Sequence, residues 1–334
     1  MQTKRETWAD IARIIATFLI ILVHTSGIYR TSQLNHISSL TYSTLGYLGA
    51  PLFLILSGYL LLNKKENIKT FFKKRLNRIL LPWISWSLIL SAIQIYQSNN
   101  YSVSFYVSEF KKSMQAFWFL PLLVCLYLLT PFLRNLLQNS SKKEVLLMLV
   151  AWFLAFSFFP YSLNSQAFPY AADNGLVRQT FGFIGFYIFG YYLFLISKEK
   201  IDKYLYLTAL VILIISTIIL AHLVEVKNIN LQIIHYFSPV IVLATMSLAI
   251  FLFSFLKRIR LPNKTRNIIT QISSMSLGIY LLHDVVLSKI IKGYVFVSPN
   301  NFYAGFINAL FILLISVVIL IVIGRIPIIK RLLI

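Results

Sequence analysis

The 334 residues hold a single cysteine, Cys125. No disulfide framework and no CxxC redox or zinc site can be built from one thiol. Inside an apolar run it reads as a small packing residue. Charge is scarce as well. Asp, Glu, Lys and Arg make up only 12% of the chain, against about 25% in a soluble domain. Acids are scarcest, 10 against 31 Lys and Arg. There is no Walker loop, no GxSxG, no HExxH and no Gly-rich nucleotide turn. No internal repeat of the transporter kind is visible.

Apolar sequence is what fills the chain. Hydrophobic residues are 58% of it, and the mean hydropathy is +0.76. Runs of about 18 to 22 mostly apolar residues are long enough to cross a bilayer as helices. Such runs lie at 8–28, 41–62, 79–97, 116–134, 145–163, 177–196, 204–223, 236–256, 268–288 and 303–324. The expectation is an all-α, polytopic membrane protein of about ten spans. It would be one integral-membrane domain over 1–334 with no soluble domain. The first run is too long for a signal-peptide core and carries Arg13, so it is expected to stay as a span.

A formal charge of +21 could suggest nucleic acid, but its distribution argues for topology. An even number of spans puts both termini on one side. The segments of that side carry Lys4 and Arg5, the run Lys64, Lys65, Lys69, Lys73, Lys74, Arg75, Arg78, and later Arg134, Lys142, Lys143. Lys198, Lys200, Lys203, Lys257, Arg258, Arg260, Lys264, Arg266, Arg325, Lys330 and Arg331 follow. The opposite segments hold only Arg30, Lys111, Lys112, Arg178, Lys227, Lys289 and Lys292. The asymmetry predicts cytoplasmic termini. Contact with anionic membrane lipids follows from the same charge, and nucleic acid is not expected as a partner.

The first span, WADIARIIATFLIILVHTSG, holds Asp10, Arg13 and His24. At ~100° per residue, His24 lies about 20° and Asp10 about 60° from Arg13, on one narrow face. Asp10 and Arg13 are one turn apart, where opposite charges meet. His24 is ~16 Å further along the axis. Ionisable groups inside a span are costly and usually mark a reaction or transport path. A packing ion pair and a satisfied core histidine would be the structural alternative.

Four other features stand out. In KTFFKKRLNRILLPW, Arg75 and Arg78 share a helix face beside Lys73 and Lys74, and paired guanidinium forks suit phosphate oxygens. In PLFLILSGYLL, Ser57 and Gly58 read as a close helix contact. Pro121 and Pro131 are expected to kink or end the fourth span, and Trp118 to anchor at an interface or line a cavity. In SSMSLGIYLLHDVVL, Ser276, Tyr280 and His283 share a face, followed by Asp284. This is a possible second polar face, or a structural Tyr–His–Ser network. His36, His222 and His235 lack metal-ligand spacing and read as solvated, so no metal is expected.

These five stretches, taken in order, resemble the membrane acyltransferase family 3, and the likeness runs over essentially the whole chain. Members of that family move acetyl or other short acyl groups from cytoplasmic acyl-CoA to hydroxyls of envelope glycans or lipids. The resemblance implies that Arg13 and His24 match the family's helix-one Arg and His. It implies that Arg75 and Arg78 match its RxxR motif, associated with the CoA donor. The family often carries an appended esterase-like domain, and no such domain is seen in this sequence.

The expected activity is therefore O-acyl transfer in the cell (inner or cytoplasmic) membrane. The donor would be acetyl-CoA or another acyl-CoA, and the acceptor an envelope glycan or lipid-linked sugar. Arg75, Arg78, Lys73 and Lys74 would bind the donor. His24, with an imidazole reference pKa near ~6.5, suits a general base. Arg13 would hold the donor or stabilise developing negative charge, and Asp10 would orient Arg13. Whether the acyl group first sits on His24 stays open. The alternative is an exporter of polysaccharide or glycolipid, which would need no CoA.

Overall fold

The computed structural model describes residues 6–26, 33–162, 175–200, 202–227, 234–291, 301–327 and 332–333. Lys4, Arg5, Arg30, Lys292, Lys330 and Arg331 fall outside them. Among the described residues every regular element is a helix. Eight helical segments among these residues are long and apolar enough to cross a membrane.

α1 (Thr7–Ser26) is central. It packs against α2 (Gln33–Gly46), α3 (Gly49–Leu61), α11 (Pro239–Leu256), α12 (Asn263–Ser274), α13 (Ser276–Val285) and α14 (Ala304–Ile323). Its inward face is made of small and apolar residues, Ala9, Ala12, Ala16 and Ile20 among them, with Asp10 buried in the same set. Small side chains let neighbouring backbones close in, which replaces the hydrophobic drive that lipid cannot supply.

α4 (Ile68–Ser98) begins at Asn67, whose side chain caps it by accepting from the Lys69 N–H. Its 31 residues extend about 46 Å, well beyond the ~30 Å hydrocarbon layer. The sequence places the basic cluster in a loop ahead of a span at 79–97. The structure puts it on the first turns of this overlong helix instead. α5 (Val103–Ala116), capped by Ser102, leads into α6 (Phe119–Gln138). Pro131 does not end α6: the helix runs through it, because the ring removes one backbone hydrogen bond that neighbouring helices can offset. Pro121 sits in the first turn, where its missing N–H is an orphan anyway.

α7 (Lys142–Phe153) opens with a Ser141–Glu144 capping box and continues through a π-turn at Leu154–Phe158 into α8 (Phe159–Ser162). α9 (Leu176–Leu195) matches the sixth expected span in position. It is Gly- and Tyr-rich rather than strongly apolar, because it lies buried against α3 instead of facing lipid. α10 (Lys203–Val226) is the opposite case, an apolar helix with much of its surface outward. Two expected spans are broken. The second is split at Tyr47–Leu48 between α2 and α3. The ninth is split at Met275 between α12 and α13, then ends in a π-turn, Val286–Ile291.

Candidate active site

Two polar clusters lie along one face of α1. At its start, the Arg13 guanidinium donates to Asp10 (3.0 Å) and to Ser273 Oγ (2.8 Å). The Ser273 hydroxyl donates to Asp10 at 2.8 Å, and the Thr270 hydroxyl to the other Asp10 oxygen at 3.3 Å. A buried carboxylate needs such donors to offset lost hydration. Asp10 therefore orients Arg13, as its spacing suggests, and α12 supplies the rest. Ser273 and Thr270 escaped the sequence reading. Their spacing of three, continuing to Ser276, was the available signal.

At the far end of α1, His24 meets His283 of α13, with ring centroids 4.9 Å apart. His24 is exposed, whereas His283 is 4% exposed. Asp284 lies near enough to act electrostatically on His24. The pairs 13–273 and 24–283 keep nearly the same separation on both strands of the contact, so α1 and α12–α13 run parallel. This agrees with two spans that cross in the same sense.

Arg13 and His24 thus share a face but not a point. Eleven residues at ~1.5 Å separate them by about 16 Å. At that distance the Arg13 guanidinium and the His24 imidazole do not meet on one atom.

The expected Ser276–Tyr280–His283 network is not formed among side chains. The Ser276 hydroxyl donates to the Ser273 carbonyl, and His283 Nδ1 to the Tyr280 carbonyl. The Tyr280 and His283 rings are neighbours, 5.7 Å between centroids. Tyr280 also meets Phe119 and Phe117. Trp118 stacks inward against Phe183 and Tyr236, so it lines the aromatic interior.

The third cluster is basic. Lys74 and Arg75 approach Glu66 at 3.2 and 3.7 Å. Arg75 also lies over the Phe71 ring, 5.6 Å to its centroid. Arg78 and Lys73 are exposed on the same helix. Arg134 of α6 joins them. It is 8% exposed, covers the other side of Phe71 at 4.6 Å, and donates through Nε to the Leu61 carbonyl. Neither its second terminal nitrogen nor the buried Glu66 Oε2 has a hydrogen-bond partner. Lys64 completes the mouth. Its own burial, then Arg75, pulls its ammonium below the ordinary lysine range, with Arg134 and Lys74 adding and Glu66 opposing. In the sequence alone Lys64 and Arg134 read only as topology charge. Arg75, Arg78 and Arg13 all act on the buried Tyr127 hydroxyl.

The remaining histidines are not all solvated. His36 pairs with Glu225 and its ring faces His222. His235 is enclosed by Tyr47, Tyr236 and Phe237, and burial lowers its pKa to about 4. Among the described residues no group of three His, Cys, Asp or Glu is placed to hold a metal.

A family model described as an acyltransferase domain matches residues 6–325. No curated protein and no solved structure matches the chain.

Proposed function

The chain belongs to the acyltransferase domain family, and from that premise we propose that it moves an acetyl or other short acyl group from acyl-CoA to a hydroxyl of a cell-envelope glycan. It is a multi-pass membrane acyltransferase; the donor, the acceptor and the residue roles are our reading. Its motif pattern is similar to that of the inner-membrane O-acetyltransferase of enterobacterial common antigen, which supports acetyl as the group moved.

One observation carries the proposal. Arg75, Arg78 and Arg13 all act on the buried Tyr127 hydroxyl, a guanidinium nitrogen of the neighbouring Arg134 has no hydrogen-bond partner, and α1 carries an accessible imidazole about 16 Å beyond Arg13. Phosphates of the donor would meet Arg75, Arg78, Arg134 and Lys64, with Lys73 and Lys74 at the rim, since guanidinium forks bind phosphate oxygens bidentately. Arg13, fixed by Asp10 and Ser273, would hold the donor's arm below. The thioester would then reach towards His24.

There His24 takes the proton of the acceptor hydroxyl as its oxygen attacks the thioester carbonyl. The C–O bond forms and the C–S bond breaks. The imidazolium returns its proton to the departing thiolate, releasing free CoA. A positioned base of this kind is worth about 10²- to 10⁴-fold.

The test uses protein in nanodiscs with radiolabelled acetyl-CoA and an envelope glycan extract. Wild type should bind the donor and transfer label. Arg75→Ala/Arg78→Ala should lose donor binding, and His24→Ala should keep binding and lose transfer by about 10²-fold or more. Absence of saturable CoA binding by wild type would sink the reading and direct attention to export, assayed as flux. Normal transfer by His24→Ala would refute its role.

A further inference from the structure

We propose that His283 is a positioning residue for His24: it accepts a hydrogen bond from one nitrogen of His24 and so turns the other, as a free base, towards the acceptor hydroxyl. The inference rests on the role of His24 proposed above.

The tautomer of His283 is dictated by its surroundings. The Tyr280 carbonyl can only accept, so Nδ1 of His283 carries the proton. Nε2 is left as a lone pair. That atom is buried and has no hydrogen-bond partner. A buried acceptor without a donor is costly. It persists only where something else gains from it or completes it.

The adjoining polar ring is His24. An N–H···N bond of ~3 Å between two imidazoles sets their centroids about 5 Å apart. The observed separation is 4.9 Å, at an interplanar angle of 54°. At that separation, rotation of the accessible His24 ring about its own χ2 is the movement that would close the bond. The buried ring is the one that cannot turn, because Tyr280 holds its Nδ1 and packs against its face. A base oriented by a third group is the arrangement that makes nucleophile–base pairs work on many folds. Here a neutral histidine takes the place usually held by a carboxylate.

This arrangement also separates function from stability. Leucine at 283 would remove an unpartnered buried acceptor and fill similar volume, so folding should not suffer. Glutamine restores an acceptor near the position of Nε2.

The experiment compares wild type, His283→Leu, His283→Gln and His24→Ala as full chains in nanodiscs. Two readouts are taken. One is transfer from acetyl-CoA into envelope glycan extract, resolved into kcat and donor KM. The other is the rate at which diethyl pyrocarbonate carbethoxylates His24, followed by mass spectrometry, which needs no acceptor. His283→Leu should keep wild-type melting and donor KM, lose kcat by about 10²-fold, and slow the labelling of His24. His283→Gln should recover most of both losses. If His283→Leu labels and turns over like wild type while His24→Ala is dead, the inference about His283 is overturned and the role of His24 stands. If His24→Ala itself is active, the proposed function fails. The labelling rates then still decide whether the two rings are coupled.

Discussion

Lys64 is where the charge of the mouth is most sharply felt. Its ammonium is held below the ordinary lysine value by burial first and by neighbouring cations second. A depressed lysine pKa means the folded state binds this proton less well than the unfolded chain does. Folding is therefore penalised while the group is charged, and stability rises as pH climbs from the depressed value towards ~10.4. An anion in the mouth reverses the shift. Donor binding should thus favour the protonated ammonium, and affinity should fall as pH rises through its depressed value. Isothermal titration of CoA at several pH values would measure the slope. Lys64→Met should flatten it and weaken binding several-fold at neutral pH. Glu66 works the other way, because it holds Lys74 and Arg75 at 3.2 and 3.7 Å and must yield them to phosphate. Glu66→Gln should therefore tighten CoA binding. Unchanged affinity in both variants would show that the donor does not sit in this mouth.

Among the helices, α3 and α9 make the tightest contact. A Cβ on Gly58 would lie 1.9 Å from the Tyr187 carbonyl oxygen, and one on Gly190 would lie 2.1 Å from that of Ile55. The two backbones touch, and no flexible side chain is there to give way. Gly58→Ala should cost at least the 1–3 kcal/mol typical of overpacking, read as a lower melting temperature or loss of monodisperse protein. Ser57→Ala should be mild, because its hydroxyl only bonds back to the Phe53 carbonyl of its own helix. Equal effects from the two would mean the motif is not a packing device. This contact was readable in SGY, since small residues mid-span have few other uses. The α1 face was readable too, because helical geometry fixes angles between near neighbours. The His24–His283 contact was not: nothing local ties residues so far apart in sequence. Arg134 was misjudged for a related reason. At the end of a span it looks like any inside charge, and only the placement of Phe71 and Leu61 shows that it turns inward. The break at Met275 was hidden because an apolar run keeps its composition when its helix is interrupted.

At the scale of the whole molecule, the two ends of the bundle are chemically unlike. One gathers Lys64, Arg75, Arg78, Arg134 and the Arg13–Asp10 pair; the other holds the His24–His283 pair about 16 Å further along α1. The positive-inside rule assigns the basic end to the cytoplasm, where acyl-CoA is made, and leaves the histidines nearer the outer half. On the proposed function sidedness is part of the mechanism, since the donor would enter by one face and the imidazole would work deeper than the phosphates. In a Cys125→Ser background, Lys65→Cys at the basic end and Tyr101→Cys at the opposite end, both exposed, can report it. An impermeant maleimide should label Lys65→Cys only in inverted vesicles and Tyr101→Cys only in right-side-out vesicles. Inverted vesicles alone should then accept acetyl-CoA from the bath. The opposite labelling would put the arginine mouth outside the cell, away from any CoA pool, and the donor route argued from Arg75 to His24 would have to be abandoned.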